Sequence, residues 1–537
     1  MQARVRNGLV ALAGLSLLAG ACGGDDGGSG GDAQTVASVD RGIKDALATT
    51  TTADGDTTAT TEVVAEPTSM EEWEALWAKE REAIVKRIEE NGWGLSADGN
   101  TLTGPGDWTV DLTKCTAGWS NTQGIENGTL KISQAIALSG TYADYGNLGR
   151  AIDVMFKYYN GKGLFKDGDG KDLTIEYTMA DDGYDPARTI PLVEEFLDST
   201  KPFMLWTLGS PATLKTYQKV NQYCMPQLSS MTGHDAWGDP VNNPWTTGAP
   251  RPTYSTEATL WGTFIEQHLD EFPTDRKIRV ASLVQNNDFG NLYEAAFKQF
   301  LAGSDKLRDR VEFISEKIEA QAPTVIDPMT TLAAAEPDVW ISMLAGVQCT
   351  QIVVEAANNG MKEAVKYKFM PQTCPGAGAI GKEKLGGDGS AGDGWWIMNP
   401  GVKDLKDPEL ADDPYIQWLR DELQKNGIDP DSSTQLGDGI NYGFPVLQAL
   451  LIAGDLPGGI TRTNVLLAYR TIDMTSPMLR PGMRLHMDGL NDAYIAEAAL
   501  FSQWDAAKQT YVDRSEVFNL DGKTKLCHWD QATAACT

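Results

Sequence analysis

Between Leu130 and Leu138 most positions are apolar, and turn residues bound the run, which predicts a short buried strand. Ser139-Gly140 ends it. Beyond, apolar residues fall at Leu148, Ala151, Ile152, Met155, Phe156 and Tyr159, the spacing of a helix with one buried face. Strand, glycine turn and helix make the first half of a βαβ unit. The pattern then recurs. Strands are predicted near 173–180, 202–208 and 225–229, and a second series near 277–285, 310–317, 338–344 and 367–371. Asp185-Pro186 and Asp327-Pro328 each read as a helix start, with Asp as N-cap and Pro at the first helical position. Two such series predict an α/β fold of two Rossmann-like lobes, each a mostly parallel sheet covered by helices, with a cleft between them. After Gly394 the pattern changes to helices at Tyr415–Lys425, Tyr442–Ala453 and Thr461–Tyr469, then late strands at Met483–His486 and Ala493–Phe501.

The residues before this body read as delivery and anchoring. Arg4 and Arg6 precede an apolar run, Leu9–Leu18, too short to span a bilayer, so 1–21 is assigned as a signal peptide. Ala19-Gly20-Ala21-Cys22 resembles a bacterial lipobox, which implies that Cys22 is acylated. Residues 22–67 are rich in Gly, Thr, Ala and Asp and read as a disordered tether with a reach of roughly 35–40 Å. Residues 68–126 form an extension. It opens with an amphipathic helix, Ser69–Asn91, in which Ser69 and Glu72 suit a capping box and Met70, Trp73, Trp77, Ile84 and Ile88 share a face. Loop-rich sequence follows.

A net charge of −29 over 537 residues argues against nucleic acid as a partner. Four histidines and no G-x-S-x-G elbow in the strand–helix body give a secreted hydrolase little support, and no P-loop is present. Asp167-Gly-Asp-Gly-Lys-Asp172 resembles a calcium loop superficially. Lys171 and Asp172 stand where an oxygen ligand and glycine belong, so the run reads as a hairpin and no metal or cofactor is assigned. Setting Cys22 aside, six cysteines remain, an even number that suggests disulfides in an exported chain.

The series as a whole resembles the type I periplasmic binding proteins, and within them the branched-chain amino acid (Leu/Ile/Val) receptors of ABC importers. The resemblance runs from about Thr129 to Val512. It rests on Leu138-Ser-Gly-Thr-Tyr-Ala-Asp-Tyr-Gly146, Ala180-Asp-Asp-Gly-Tyr-Asp-Pro186, Leu208-Gly-Ser210, Asn287-Asp-Phe-Gly290 and Phe369-Met-Pro371. It implies two discontinuous lobes joined by three crossings, 127–252 plus 395–480 and 253–394 plus 481–513, with a tail at 514–537. It also implies a lobe-one site for a carboxylate at Gly209-Ser210 and Ser230-Met231-Thr232. Tyr142 and Tyr145 would line the cleft, and Phe289 would cover the ligand. Thr373 falls near where amino acid receptors place an acid for the ammonium. The missing acid points to a carboxylate- or amide-bearing solute without an ammonium, unless Asp288 substitutes; branched-chain amino acids are the alternative. Asp181 and Asp185 read as structural ties.

Cys349 and Cys374 follow adjacent strands of lobe two and Cys527 lies close to Cys536. Among the pairings the count allows, these favour Cys349–Cys374, Cys527–Cys536 and Cys115–Cys224. The expected protein is a monomeric, non-enzymatic receptor outside the cytoplasm, held to the membrane by lipid and delivering solute to an ABC permease. A ligand sensor of the same fold is the alternative.

Overall fold

The computed structural model describes residues 66–374, 376–533 and 535–537; the signal peptide, Cys22 and nearly all of the tether lie outside them. Helix α1 (Met70–Glu90) starts where Ser69 Oγ accepts the Glu72 N–H, while the Glu72 carboxylate takes Thr68 N–H instead of closing a box with Ser69. Its apolar face buries Trp73, Trp77, Ile84 and Ile88. Three short antiparallel strands follow, β1 (Gly94–Leu95), β2 (Thr101–Gly104) and β3 (Trp108–Asp111), in the stretch that reads as loop. Runs of two to four residues are too short to show a period.

In lobe one, β4 (Ile125–Glu126) makes a hairpin with β5 (Thr129–Ile136). Helix α2 (Gly146–Tyr159) buries every apolar position expected of it. The Asp167 loop is a hairpin: Asp167 Oδ1 accepts the N–H groups of Asp169 and Lys171 at 2.9 and 2.8 Å. Next come β6 (Thr174–Asp181), α3 (Pro186–Glu195, capped by Asp185 as expected), β7 (Met204–Thr207) and α4 (Ser210–Gln222). Strand β5 lies between β6 and β7 and is parallel to both. The expected fourth strand at 225–229 is absent. Pro226 lacks an N–H and Cys224 and Ser229 have positive φ, so the segment keeps only an isolated bridge, Gln227 to Thr246.

The chain crosses through Pro250-Arg251-Pro252 into α5 (Tyr254–Gln267). Lobe two continues with β8 (Ile278–Gln285), α6 (Asp288–Gly303), β9 (Val311–Ile318), α7 (Ile326–Ala334), β10 (Val339–Met343), α8 (Gln348–Asn358), β11 (Tyr367–Met370) and β12 (Trp396–Asn399). Helix α7 begins one residue before Asp327, with Val325 as N-cap, so Asp327 is a first-turn acid and not the cap. Trp396–Asn399, which the sequence reading placed in lobe one, pairs with β11.

The return to lobe one brings α9 (Pro414–Lys425), α10 (Gln435–Asp455) and α11 (Arg462–Arg470). Helix α10 is buried along nearly its whole length, and Trp77 of α1 packs 5.0 Å from its Phe444. The extension is thereby fastened to lobe one. Two-residue strands β13 (Asp473–Met474) and β14 (Leu485–His486) pair beyond it. The second and third crossings run side by side as an antiparallel ribbon, Lys403 N–H to Met478 O at 2.8 Å and Arg480 N–H to Gly401 O at 2.9 Å. The chain then adds β15 (Leu500–Asp505) and β16 (Thr510–Asp513) antiparallel at the edge of lobe two, whose order is β16-β15-β12-β11-β10-β8-β9. The tail closes as a hairpin of β17 (Trp529–Asp530) and β18 (Ala535–Cys536) and docks on lobe one, Cys527 N–H reaching Gly238 O at 2.8 Å. The three disulfides are Cys115–Cys224, Cys349–Cys374 and Cys527–Cys536. No helix among the described residues is long and apolar enough to cross a membrane.

Candidate functional site

Both sheets aim the carboxyl ends of their parallel strands at the cleft, the position where open α/β sheets bind ligands. The loop after β5 winds into a short 3-10 turn, Gly140–Tyr145, that carries two tyrosines across to lobe two. Tyr142 donates to Ala320 O at 3.0 Å and accepts from Gln285 Nε2. Tyr145 accepts the Gly346 N–H at 3.2 Å. The Tyr142 ring also lies flat on Gly346, whose φ is +67° and where an added Cβ would come within 2.5 Å of the ring. Tyr184, from the loop after β6, stacks on Tyr142 at 4.3 Å. Its own φ of +62° is a strained conformation for a residue with a side chain, and it sets the ring against Gly209 at the start of α4. Asp181 holds this loop in place by accepting from Ser139 Oγ, Leu138 N–H and Gly183 N–H.

The inner cavity, about 40 Å³, has aromatic walls: Tyr145, Tyr184 and Tyr442 from lobe one, Tyr254 and Phe289 from lobe two. Gly209, Met231 and Thr373 complete the part foreseen from sequence. Tyr142, Tyr145 and Thr373 also line a wider cavity of about 380 Å³ at the mouth. Ser210 and Thr232 meet hydroxyl to hydroxyl at 2.7 Å, both buried. Ser210 is not the cap of α4; Gly209 holds that position. Ser230 turns away, its hydroxyl 3.4 Å from Gln227 O. Asp288 is half-buried in the first turn of α6, behind the cap made by Asn287, and is not among the lining residues of the inner cavity. Thr373 spends its hydroxyl on Leu344 O at 2.8 Å.

The charged part of the site was not foreseen. Arg251, on the first crossing, pairs with Asp438 of α10 at 2.9 Å, donates to Gln372 O at 3.2 Å and lies 5.2 Å from the Tyr442 ring centre. Arg251 and Asp438 both line the inner cavity. Asp438 and Tyr442 stand four residues apart and so share one helix face, a spacing the sequence does show. Nothing local marks Arg251 as their partner. None of His234, His268, His486 and His528 lines the inner or mouth cavity.

Behind Arg251, Glu257 is fully buried, accepts the Gln372 N–H at 2.8 Å and takes a hydrogen bond from Tyr293. Burial pushes its carboxyl up from 4.5 to about 8, the hydrogen bonds opposing. The folded protein therefore keeps this proton over a range where the unfolded chain has released it. Stability from this group is complete below pH 4.5 and drains as pH rises toward 8. Glu257→Gln is expected to flatten that part of the urea-denaturation profile; an unchanged slope would assign it to another group.

A family model described as periplasmic binding protein matches residues 129–503. No curated protein matches the sequence significantly. Among solved structures, a branched chain amino acid ABC transporter protein from Thermus thermophilus with bound valine is 17% identical, covers 73% of this chain and 96% of its own, and superposes with a TM-score of 0.59. A fatty acid ABC transporter substrate-binding protein from Thermomonospora curvata gives 17%, 80%, 97% and 0.59. A solute binding protein from Rhodopseudomonas palustris BisB5 in complex with 3,4-dihydroxy benzoic acid gives 18%, 73%, 98% and 0.56. At such identities the likeness shows the shared two-lobed fold. The family match covers well over half of the sequence, and the chain belongs to the periplasmic binding protein family.

Proposed function

We propose that this protein is the extracytoplasmic receptor of an ABC importer and that it closes on a carboxylate- or amide-bearing solute with an aromatic or bulky apolar body. The observation that carries the reading is the inner cavity: both lobes supply its rings, and Arg251 lines it together with Gly209, the N-cap of α4. A helix start and a guanidinium are complementary to an anionic or carbonyl oxygen. The flat tyrosines suit a planar or branched apolar body. An ammonium finds less support, because Thr373 stands where amino acid receptors of this fold place an acid, and its hydroxyl is bonded to Leu344 O. Leaving an ammonium buried without a partner costs several kcal/mol. Among the relatives of this fold, one is described with bound valine, one in complex with 3,4-dihydroxy benzoic acid, and one as the binding protein of a fatty acid transporter, which supports carboxylates of very different bodies. Contacts made by one solute with both lobes would favour the closed state.

Native mass spectrometry of protein purified without unfolding tests the reading. A stoichiometric small acid or amide is expected to co-purify and to be lost on refolding; a bound primary amine would contradict the proposed class. We also assign acylation to Cys22, with 22–67 as the tether. Cys22→Ala is expected to move the protein from the membrane to the soluble fraction, and full membrane retention would refute the anchor.

A further inference from the structure

One buried carboxyl joins the charged and the aromatic parts of the solute site. Glu257, in the first turn of α5, is fully buried and lines neither the inner nor the mouth cavity. Its Oε1 accepts the Gln372 N–H at 2.8 Å, and its Oε2 accepts the Tyr293 hydroxyl. Gln372 lies in the loop after β11, directly before Thr373 of the inner cavity. The Gln372 carbonyl accepts from Arg251 at 3.2 Å, and its Nε2 donates to Pro252 O at 3.0 Å, so this residue is bonded to the first crossing at both Arg251 and Pro252. Tyr293 packs on the two rings that lobe two gives to the cavity, with its centre 4.7 Å from Tyr254 and 5.3 Å from Phe289. A single side chain thus holds the peptide that holds the cation, and the ring that backs the cavity rings.

The groups around Glu257 decide what a change in its charge does. Helix α5 itself brings Tyr254, α6 brings Tyr293, the first crossing brings Arg251, and α10 brings Asp438 and Tyr442 behind Arg251. Strand β12 also packs on α5 and carries no titratable group. Burial raises all three tyrosines above their ordinary value, and Asp438 is paired to Arg251. Glu257, raised by burial to about 8, is therefore left to change charge as pH passes through the mildly alkaline range. A neutral carboxyl needs no counter-charge and leaves Arg251 to Asp438, to Gln372 O and to the solute. A buried carboxylate needs a cation, and Arg251 is the one beside it.

We propose that Glu257 is a positioning residue for the solute site: protonated, it sets Arg251 and the cavity rings through Gln372 and Tyr293, and ionised, it draws Arg251 away from a solute anion. The inference rests on the reading of the inner cavity as an anion site. Linkage then requires an anionic solute to bind more tightly below pH 8 than above it, and to raise the proton affinity of Glu257 when it binds.

Two measurements on the full chain separate this from the solute reading. Magnetic resonance of solute-free protein carrying isotope-labelled arginine follows the Arg251 Nε–H signal, assigned by its loss in Arg251→Lys. The signal is expected to shift with a midpoint near pH 8 in the wild type and to stay in place in Glu257→Gln, which cannot ionise. A signal that does not move, or that moves equally in Glu257→Gln, would overturn the proposal whatever the solute; the wild-type titration alone decides if that variant fails to fold. Calorimetry with 4-hydroxybenzoate and 4-methyl-2-oxopentanoate is expected to show at least tenfold weaker binding well above pH 8 than well below it, and no such slope in Glu257→Gln. Equal affinity on both sides would overturn the proposal. Failure of both acids to bind would count against the solute class instead, and the resonance titration would still decide the role of Glu257.

Discussion

Replacing Arg251 with methionine is expected to destabilise the protein by about 3–5 kcal/mol and to abolish solute binding. The reason is Asp438. The pair is almost wholly buried, with side chains 4% and 8% exposed, and removing the cation strands a carboxylate away from water. Breaking such a pair costs far more than replacing both members with apolar groups. The double variant Arg251→Met/Asp438→Leu should therefore regain most of the stability while still failing to bind solute. Urea denaturation and calorimetry on the same preparations separate the two effects. A single variant that loses less than about 1 kcal/mol would mean that the pair is solvated in solution.

Gly346→Val is expected to leave each lobe folded and to prevent closure. Gly346 sits on the cleft wall at the end of β10 and not in either core, so its replacement spares the packing that stabilises lobe two. Valine would be strained at φ +67°, and its Cβ would enter the Tyr142 ring at 2.5 Å. The tyrosine could then no longer reach Ala320 and Gln285. Solute affinity should fall at least 100-fold, a loss of roughly 2.7 kcal/mol, with a larger radius of gyration by X-ray scattering in the presence of solute. Adding Tyr142→Ala should restore part of the closure. Closure at the wild-type dimension in Gly346→Val would show that the tyrosine does not lie on this glycine.

Local rules and tertiary contacts divide what the sequence revealed from what it hid. The apolar stripe of α2, the cap at Asp185 and the long parallel strands are local matters, set by period and turn chemistry. The segment at 225–229 looked like a strand by its hydrophobicity, but Pro226 and the positive φ of Ser229 break the ladder. Ser210 and Thr232 bond to each other and line neither the inner nor the mouth cavity. Among the residues that do line them, those that follow strand ends were legible because topology places them: Tyr142, Tyr145, Gly209, Met231, Phe289 and Thr373. Arg251, Asp438 and Tyr442 were not, because a residue on a crossing meets a helix 187 positions later only when the lobes are assembled. Tyr184 was hidden for a different reason. It belongs to the motif Ala180-Asp-Asp-Gly-Tyr-Asp-Pro186, but its reach to Gly209 depends on a backbone conformation that no sequence pattern announces.

In the proposed function two lobes close on a solute held through its carboxylate or amide, with no ammonium. Calorimetry of refolded protein with matched compounds tests it most directly: leucine, its deaminated keto acid 4-methyl-2-oxopentanoate, its amide analogue 4-methylpentanamide, and 4-hydroxybenzoate. Binding is predicted for at least one of the compounds without an ammonium, with leucine at least 100-fold weaker. Tight binding of leucine alone, lost in Asp288→Asn, would contradict the account and make Asp288 the ammonium's partner.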